Sequence, residues 1–159
     1  MAILKDSGER RQYETGAVRD IQEGKGRLDL VPIDTIADVF LKFEDTNKIG
    51  QILKCIYNFY ETQEVNYLYK AIYIFSVTYE VNLCNAILEV SKHYEDGARK
   101  YGEHNWQKGI NFSSYIDSGI RHLLKYFRGD DDEPHDRAFL WNMISLAWTC
   151  IHKPELNNL

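Results

Sequence analysis

Proline is scarce in this 159-residue chain, which holds only Pro32, Pro134 and Pro154. Proline lacks a backbone N–H and breaks the interior of a helix, so the proline-free run from residue 33 to residue 133 favours long helices. Pro134 itself suits the first turn of a further helix. The sequence therefore predicts an all-α fold, a bundle of four to six helices.

Apolar periodicity places these helices along the chain. Inward-facing residues recur at helical spacing over about 34–43, 47–60, 64–79, 82–101, 114–128 and 134–152. The last helix carries apolar residues on two sides, which predicts burial by several neighbours or by a partner subunit. Ser114 and Asp117 resemble a capping box at the start of the fifth segment, and Gly129 fits its C-terminal cap.

The remaining organisation follows from length and polarity. We interpret residues 1–159 as one domain, with an irregular polar arm over 1–31, an aromatic-rich helical elaboration over 40–80 and motif-bearing helices over 82–152. The elaboration could serve as an interface between subunits, so we expect a homo-oligomer.

Charge and composition limit the partners. The formal net charge of −5 argues against a surface that binds duplex nucleic acid. No run approaches the length of a membrane span, and the N-terminus has no signal-length apolar region. Three widely spaced cysteines in apolar contexts predict buried, reduced thiols, and we expect a cytoplasmic protein.

Acidic residues near the end of the fourth segment could hold a hard cation. Glu89, Glu95 and Asp96 offer the oxygen ligands that Mg²⁺ and Mn²⁺ accept. Spacing alone also allows a solvated helix face, with Glu95 paired to Arg99 and Asp96 to Lys100 four residues on. The sequence leaves both interpretations open.

A glycine-bearing loop follows these acids. Lys100 could meet a phosphate, while Asn105 and Trp106 could hydrogen-bond to and stack on a base. The same run also suits a helix C-terminus capped by Gly102, with the indole in the core. In the arm, Lys25 and Arg27 stand among glycines and could contact phosphate, or form a disordered basic segment.

Two later clusters add donors and carboxylates. Arg121 offers a planar fork for phosphate, although its pairing with Asp117 is the simpler interpretation. The acidic residues from Asp130 to Asp136 suit the N-terminus of a helix. In that helix, His135 would share a face with Asn142, a polar residue among apolar ones that needs hydrogen-bond partners if it is buried.

Five sequence motifs occur in a fixed order over residues 15–32 and 86–146, roughly half of the chain. They are Thr-Gly-Ala-Val-Arg-Asp, Gly-Lys-Gly-Arg-x-Asp-Leu-x-Pro, Tyr-Glu-x-Gly-Ala-x-Lys-Tyr-Gly-x-x-Asn-Trp-x-x-Gly, Asp-Ser-x-x-Arg-His-Leu and Asp-Glu-x-His followed by Trp-Asn. Taken together, these motifs resemble the dATP/dGTP diphosphohydrolase family found largely in phage-like genomes, which is related to the all-α MazG-like pyrophosphohydrolases.

The resemblance implies cleavage of a deoxynucleoside triphosphate, with dATP and dGTP expected, to monophosphate and pyrophosphate, with Mg²⁺ or Mn²⁺ as cofactor. The implied metal ligands are Glu95, Asp132, Glu133 and Asp136. The implied catalytic residues are Glu95, Glu133 and His135. The implied substrate-binding residues are Lys25, Arg27, Lys100, Asn105, Trp106, Arg121, His122 and Asn142.

One departure from the MazG-like pattern concerns the metal ligands. Such enzymes usually carry Glu-x-x-Glu on one helix and Glu-x-x-Asp on the next, whereas here Lys92 stands three residues before Glu95. Glu133 and Asp136 have the spacing of the second pair. The broken first pair keeps open an alternative, a non-catalytic nucleotide-binding or helical assembly module. A helical phosphohydrolase of the HD type would instead release inorganic triphosphate.

Overall fold

A computed structural model describes residues 8–20, 30, 32 and 47–159 of the chain. In this part the fold is an all-α bundle of five helices, as predicted. The helix predicted over 34–43, like Lys25 and Arg27, lies outside the described residues. The helices are α1 (Asn47–Thr62), α2 (Asn66–Tyr79), α3 (Leu83–Tyr101), α4 (Phe112–Arg128) and α5 (His135–His152), with short 3-10 helices at Asn105–Lys108 and Pro154–Leu156.

The helix α5 is the centre of the bundle. It packs against α2, α3 and most extensively α4, and α1 packs on α2. Phe139, Leu140 and Met143 are at most 1% exposed, as the two-sided apolar pattern predicts. Because apolar burial contributes about 25 cal/mol for each Å² removed from water, this helix anchors the core.

Helix ends follow local signals, with one correction. Asn82 caps α3 by accepting a hydrogen bond from the backbone N–H of Asn85, and Gly129 ends α4 in a left-handed conformation. The predicted capping box is wrong, because α4 already begins at Phe112 and places Ser114 and Asp117 inside the helix. Buried Asp117 instead forms an ion pair with Arg121, one turn further on.

The N-terminal arm contains more order than its composition suggests. Its strands, β1 (Arg10–Gln12) and β2 (Val18–Asp20), form an antiparallel hairpin in which Arg11 lies opposite Arg19. The turn is closed by the N–H of Gly16, which donates to the carbonyl of Tyr13 at 2.8 Å. Three-residue strands carry too little pattern to be found from sequence, since alternation needs at least four residues.

Some surface properties also differ from expectation. Cys55 is buried, but Cys84 is exposed, so the prediction of buried thiols is wrong for that residue.

In the described ranges, no single helix is long and apolar enough to cross a membrane; α2 and α3, bent by 102°, meet that criterion only as a pair. Self-association of the chain stays a prediction. Sedimentation velocity would measure the oligomeric state directly.

Gly109 is predicted to be intolerant of a side chain. Its φ of 114° is strained for any other residue, and an added Cβ would collide with Leu156. We expect Gly109→Ala to lower the free energy of unfolding by about 1–3 kcal/mol, measured by urea denaturation. Gly97→Ala is the control: this helical glycine has nothing within 4 Å of a Cβ, so the substitution should stabilise. Equal effects of the two changes would contradict this interpretation.

Candidate active site

The hairpin is attached to the helices by partly buried polar contacts. The side-chain amide of Asn105 donates to the carbonyl of Val18 at 3.0 Å and accepts from its N–H at 3.2 Å. Asp20 accepts from the ammonium of Lys100 at 3.0 Å and from the hydroxyl of Tyr101 at 2.9 Å. These contacts fix β2 against the C-terminal end of α3.

Arg19 in the same strand reaches into the bundle. Its guanidinium donates to the carbonyl of Ser114 at 3.2 Å and to the side-chain oxygen of Asn142 at 3.1 Å. It also lies 5.7 Å from the ring centroid of Tyr115 and 5.5 Å from that of Trp141. Arg19 thus places a permanent positive charge between α4 and α5.

An aromatic cavity of about 390 Å³ is lined in part by Trp141, the ring that this guanidinium contacts. It is formed by the C-terminal half of α3, the turn that carries the 3-10 helix and one residue of α5. Tyr94 and Trp106 meet edge to face with ring centroids 5.5 Å apart, and Trp141 lies 6.0 Å from Tyr94. The lining residues are Tyr94, Glu95, Gly97, Ala98, Tyr101, Gly102, Glu103, His104, Asn105, Trp106, Gln107 and Trp141.

Two histidines and a glutamate converge where α4 meets the start of α5. The Nδ1 atoms of His122 and His135 are 3.0 Å apart. The Oε1 atom of Glu133 is 3.6 Å from the first of these nitrogens and 3.8 Å from the second. We call these three residues the histidine cluster. They form one of the groups in the described part of the chain whose ligand atoms lie close enough for a metal ion.

The protonation of this cluster follows from its surroundings. Burial, and then the neighbouring His135, lower the pKa of His122 well below its usual value, so this ring is neutral near pH 7. On the opposite edge of His135, Nε2 lies 2.9 Å from the Asp132 carboxylate. The Lys125 ammonium, 2.9 Å away, and then His135 lower the pKa of Asp132 to about 2.

A second possible metal group shares one of these rings. Asp130, Asp132 and His135 also bring ligand atoms within 4.8 Å of one another. Its carboxylates already have cationic partners, since Asp130 pairs with Arg128 and Asp132 with Lys125. A metal ion there would compete with two ion pairs, whereas in the histidine cluster two ring nitrogens face each other.

A further polar cluster joins α3 to α5. Glu89 accepts from Arg137 at 2.5 Å and from Lys92 at 2.6 Å. Next to it, Glu80 is only 7% exposed and shares a hydrogen bond with Asp136. Burial, and then the Asp136 carboxylate, raise the pKa of Glu80 to about 7. Glu80 is therefore about half protonated at pH 7.

This proton makes stability depend on pH. The pKa of Glu80 is raised from 4.5 to about 7 on folding, so the folded chain binds more protons between these values than the unfolded chain. The free energy of unfolding should therefore fall as pH rises through this window. We expect Glu80→Gln to flatten that fall in urea denaturation, and Glu61→Gln, at an exposed site, to leave it unchanged. An unaltered slope in Glu80→Gln would contradict the assignment.

The structure brings some of the predicted site residues together. His122, Glu133 and His135 meet in one cluster, with Asp132 against its outer edge. Asn142 lies two turns further along α5, on the face that carries His135. Its side chain accepts from Arg19 and donates to the carbonyl of Ala138 at 2.7 Å.

Other predicted residues are placed apart from this cluster. Glu95 lines the cavity, and its carboxylate, 60% exposed, pairs with Arg99. Asp136 directly follows His135 in the chain, but its carboxylate shares a hydrogen bond with Glu80 and not with the histidine cluster. Neither acid belongs to a metal group in the described ranges. The amide of Asn105 is engaged with the hairpin, and Trp106 lines the cavity against Tyr94 and Trp148.

Sequence reasoning missed Arg19, Asp20 and His93. The first two stand in the arm motif, so their position was visible, but nothing in the spacing shows that the strand reaches α5. His93 lies four residues after Glu89 on α3, and burial lowers its pKa to about 4. Among the described residues, its Nδ1 atom has no hydrogen-bond partner. Helical spacing from Glu89 was the available signal.

These features define a helical protein with an aromatic cavity, a partly buried arginine and a metal-ligand cluster. The family model for the dATP/dGTP diphosphohydrolase N-terminal domain matches residues 76–158, more than half of the chain. The chain therefore belongs to the dATP/dGTP diphosphohydrolase family, as its motifs predicted. The family name indicates a diphosphohydrolase that acts on a nucleotide. Neither the curated proteins nor the solved structures include one that matches the chain.

Proposed function

We propose that this protein hydrolyses dATP or dGTP to the monophosphate and pyrophosphate with the help of a divalent cation. The observation that carries the proposal is the position of Arg19, which contacts both Trp141 at the cavity and Asn142 on the face of α5 that carries His135. One ligand with an aromatic base and a polyanionic tail suits this arrangement. The family name supplies the class of reaction.

The base would occupy the aromatic cavity. Its volume of about 390 Å³ is within the range for small-molecule sites, and aromatic rings line it. Rings of this kind stack on any base, whereas hydrogen-bonding groups give specificity. Gln107 and Glu103 at the cavity offer such groups for the base edge.

The phosphates would extend past Arg19 towards the histidine cluster. Six residues separate Trp141 from His135 along α5, or about 9 Å of helix. The guanidinium offers donors in a planar fork that matches phosphate oxygens. Arg121, one turn from Asp117 on α4, supplies a second guanidinium near the same region, since its charge acts on His122.

The donor set of the histidine cluster fits a divalent cation. Three ligand atoms lie 3.0–3.8 Å apart, which is the spacing of neighbouring ligands around one ion. When bound, such an ion supplies charge stabilisation to phosphate oxygens and lowers the pKa of a bound water. The chain's own part is to hold His122, Glu133 and His135 in place and to position the phosphates with Arg19.

In-line attack on a phosphate needs positioning more than covalent catalysis by the protein. Arg19 and Arg121 would stabilise negative charge that grows on the leaving pyrophosphate. Glu133 has 24% of its side chain exposed, so it can also accept a proton from an attacking water at the edge of the cluster.

An assay of product release tests this function. Each of the four deoxynucleoside triphosphates is incubated with Mg²⁺ or Mn²⁺, and the nucleotide and phosphate products are separated chromatographically. We expect monophosphate and pyrophosphate, with dATP or dGTP turned over fastest. Release of inorganic triphosphate would indicate HD-type chemistry instead, and the absence of turnover with every nucleotide would reject the proposal.

The alternative function is nucleotide binding without hydrolysis. Its support is the position of Lys92, which occupies an expected carboxylate position and pairs with Glu89, while Glu95 pairs with Arg99. Tight binding of dGTP or dATP in calorimetry, with no product after prolonged incubation, would favour this alternative. Binding accompanied by product would exclude it.

A further inference from the structure

The spacing of the histidine cluster is that of ligands on one small ion. Two ligands about 2.1 Å from an ion are about 3.0 Å apart at a right angle and about 3.4 Å apart at a tetrahedral angle. The Nδ1 atoms of His122 and His135 are 3.0 Å apart, and Glu133 closes the triangle at 3.6 and 3.8 Å. An ion can therefore be seated with shifts of a few tenths of an ångström.

A hydrogen-bonded carboxylate orients one of the two rings. Asp132 is an acceptor, so the Nε2 atom of His135 donates to it, and the Nδ1 atom is the ring nitrogen that faces the cluster. The Lys125 ammonium holds Asp132 in turn. A carboxylate behind a histidine in this way is the usual outer partner of a metal ligand, because it fixes the tautomer and the direction of the ring.

The chemistry of the ligands selects the ion. Mg²⁺ prefers oxygen ligands in octahedral geometry and keeps several waters, whereas imidazole nitrogen suits first-row transition ions. The side chain of His135 is 1% exposed and that of His122 is 13% exposed, so water does not readily replace either nitrogen. An ion that needs oxygen ligands should bind weakly here, because two of the three ligand atoms are nitrogens.

We propose that His122, Glu133 and His135 form a binding site for a first-row transition ion, of the Mn²⁺, Co²⁺ or Zn²⁺ type, that discriminates against Mg²⁺, with Asp132 as its positioning residue. The site rests on its own geometry, whereas a role in hydrolysis rests on the function proposed above. The positive charge of Arg19 acts on His122, so this guanidinium lies near enough to the cluster to influence a ligand bound there.

Metal binding to the nucleotide-free protein tests the site without any measurement of activity. Chelator-treated protein is titrated with Co²⁺, followed by its ligand-field absorption, and with Zn²⁺ and Mg²⁺ in calorimetry. We expect one equivalent of Co²⁺ or Zn²⁺ to bind at least about 100-fold more tightly than Mg²⁺, as nitrogen ligands favour these ions. Mg²⁺ that binds as tightly as Zn²⁺ would overturn the proposal.

Variants locate the ion. His122→Gln and Glu133→Gln should each weaken Co²⁺ binding by at least about 100-fold and change its absorption, and Asp132→Asn should weaken it by about 10- to 100-fold, as expected of an outer partner. Glu133 is partly exposed, so its variant tests the site even where His122→Gln fails to fold. Asp131→Asn, an exposed neighbour, is the matched control.

Asp130→Asn separates the two possible metal groups, because Asp130 belongs only to the second. We expect Co²⁺ affinity to be retained in this variant. A loss there, with full affinity in Glu133→Gln, would move the ion to the outer group and overturn the proposal. Tight, His122-dependent metal binding without nucleotide hydrolysis would reject the proposed function and leave this site standing.

Discussion

Glu133→Gln should lower the turnover of dATP or dGTP by at least about 100-fold. Loss of a direct metal ligand should reduce activity at least as much as the largest losses known for outer partners, which are about 100-fold. The side chain keeps its size but loses the negative charge that lies 3.6–3.8 Å from the two imidazoles. Both cation binding and proton acceptance would suffer. Initial rates of pyrophosphate release, at saturating substrate and several metal concentrations, give the measurement.

The control for this experiment is Asp131→Asn, two residues earlier and exposed. It removes the same charge from the same loop, so equal losses in the two variants would indicate a general electrostatic effect. Both proteins should unfold at the wild-type urea concentration, because neither side chain lies in the core. A turnover in Glu133→Gln near that of the wild type would remove the histidine cluster from the mechanism.

Gly97→Leu should raise the KM for nucleotide by about 10-fold or more and leave stability intact. Gly97 lines the aromatic cavity, and a Cβ added there meets nothing within 4 Å, so a larger side chain enters open space. Stacking of one base on aromatic rings contributes about 1–3 kcal/mol, and about 1.4 kcal/mol corresponds to a tenfold change in affinity. Steady-state kinetics and equilibrium binding of dGTP measure the effect.

Ser91→Leu introduces the same side chain at an exposed position of α3 that does not line the cavity. It should leave KM unchanged. Gly97→Ala is informative in addition, since replacing a glycine inside a helix stabilises by about 0.5–1 kcal/mol. With glycine at this position, the helix is less stable than it would be with alanine. A need for open space in the cavity at residue 97 would explain why glycine is present. Unchanged KM in Gly97→Leu would show that the base binds elsewhere.

Much of the helical framework could be predicted from the sequence. Helices α1 to α5 match the apolar periodicity, and the two-sided pattern of α5 correctly indicated the central helix. The hairpin could not be predicted, because its three-residue strands depend on contacts with distant residues. Asn105 shows the difficulty: an amide next to a tryptophan suggests base recognition, yet its partner is the backbone of Val18.

The candidate site was only partly predictable for a similar reason. Motif order grouped His122, Glu133 and His135 within the same family resemblance, and the structure brings them together. Spacing cannot tell which turn of α3 faces α5, and the carboxylate of Glu95, an expected metal ligand, pairs with Arg99 in the structure. The role of Arg19 could not be read from the sequence because its contacts, Ser114 on α4 and Asn142 on α5, lie about 95 and 123 residues later in the chain.

The hairpin has a consequence for how the site is assembled. Asp20 contacts a residue 80 positions later in the chain, and Arg19 contacts one 123 positions later. Contacts of such sequence separation form after local ones, because closing a long loop costs entropy before any contact compensates for it. The helices can thus collapse first, and the guanidinium that joins cavity and cluster arrives last. Catalytic competence would then appear later in folding than helical structure does.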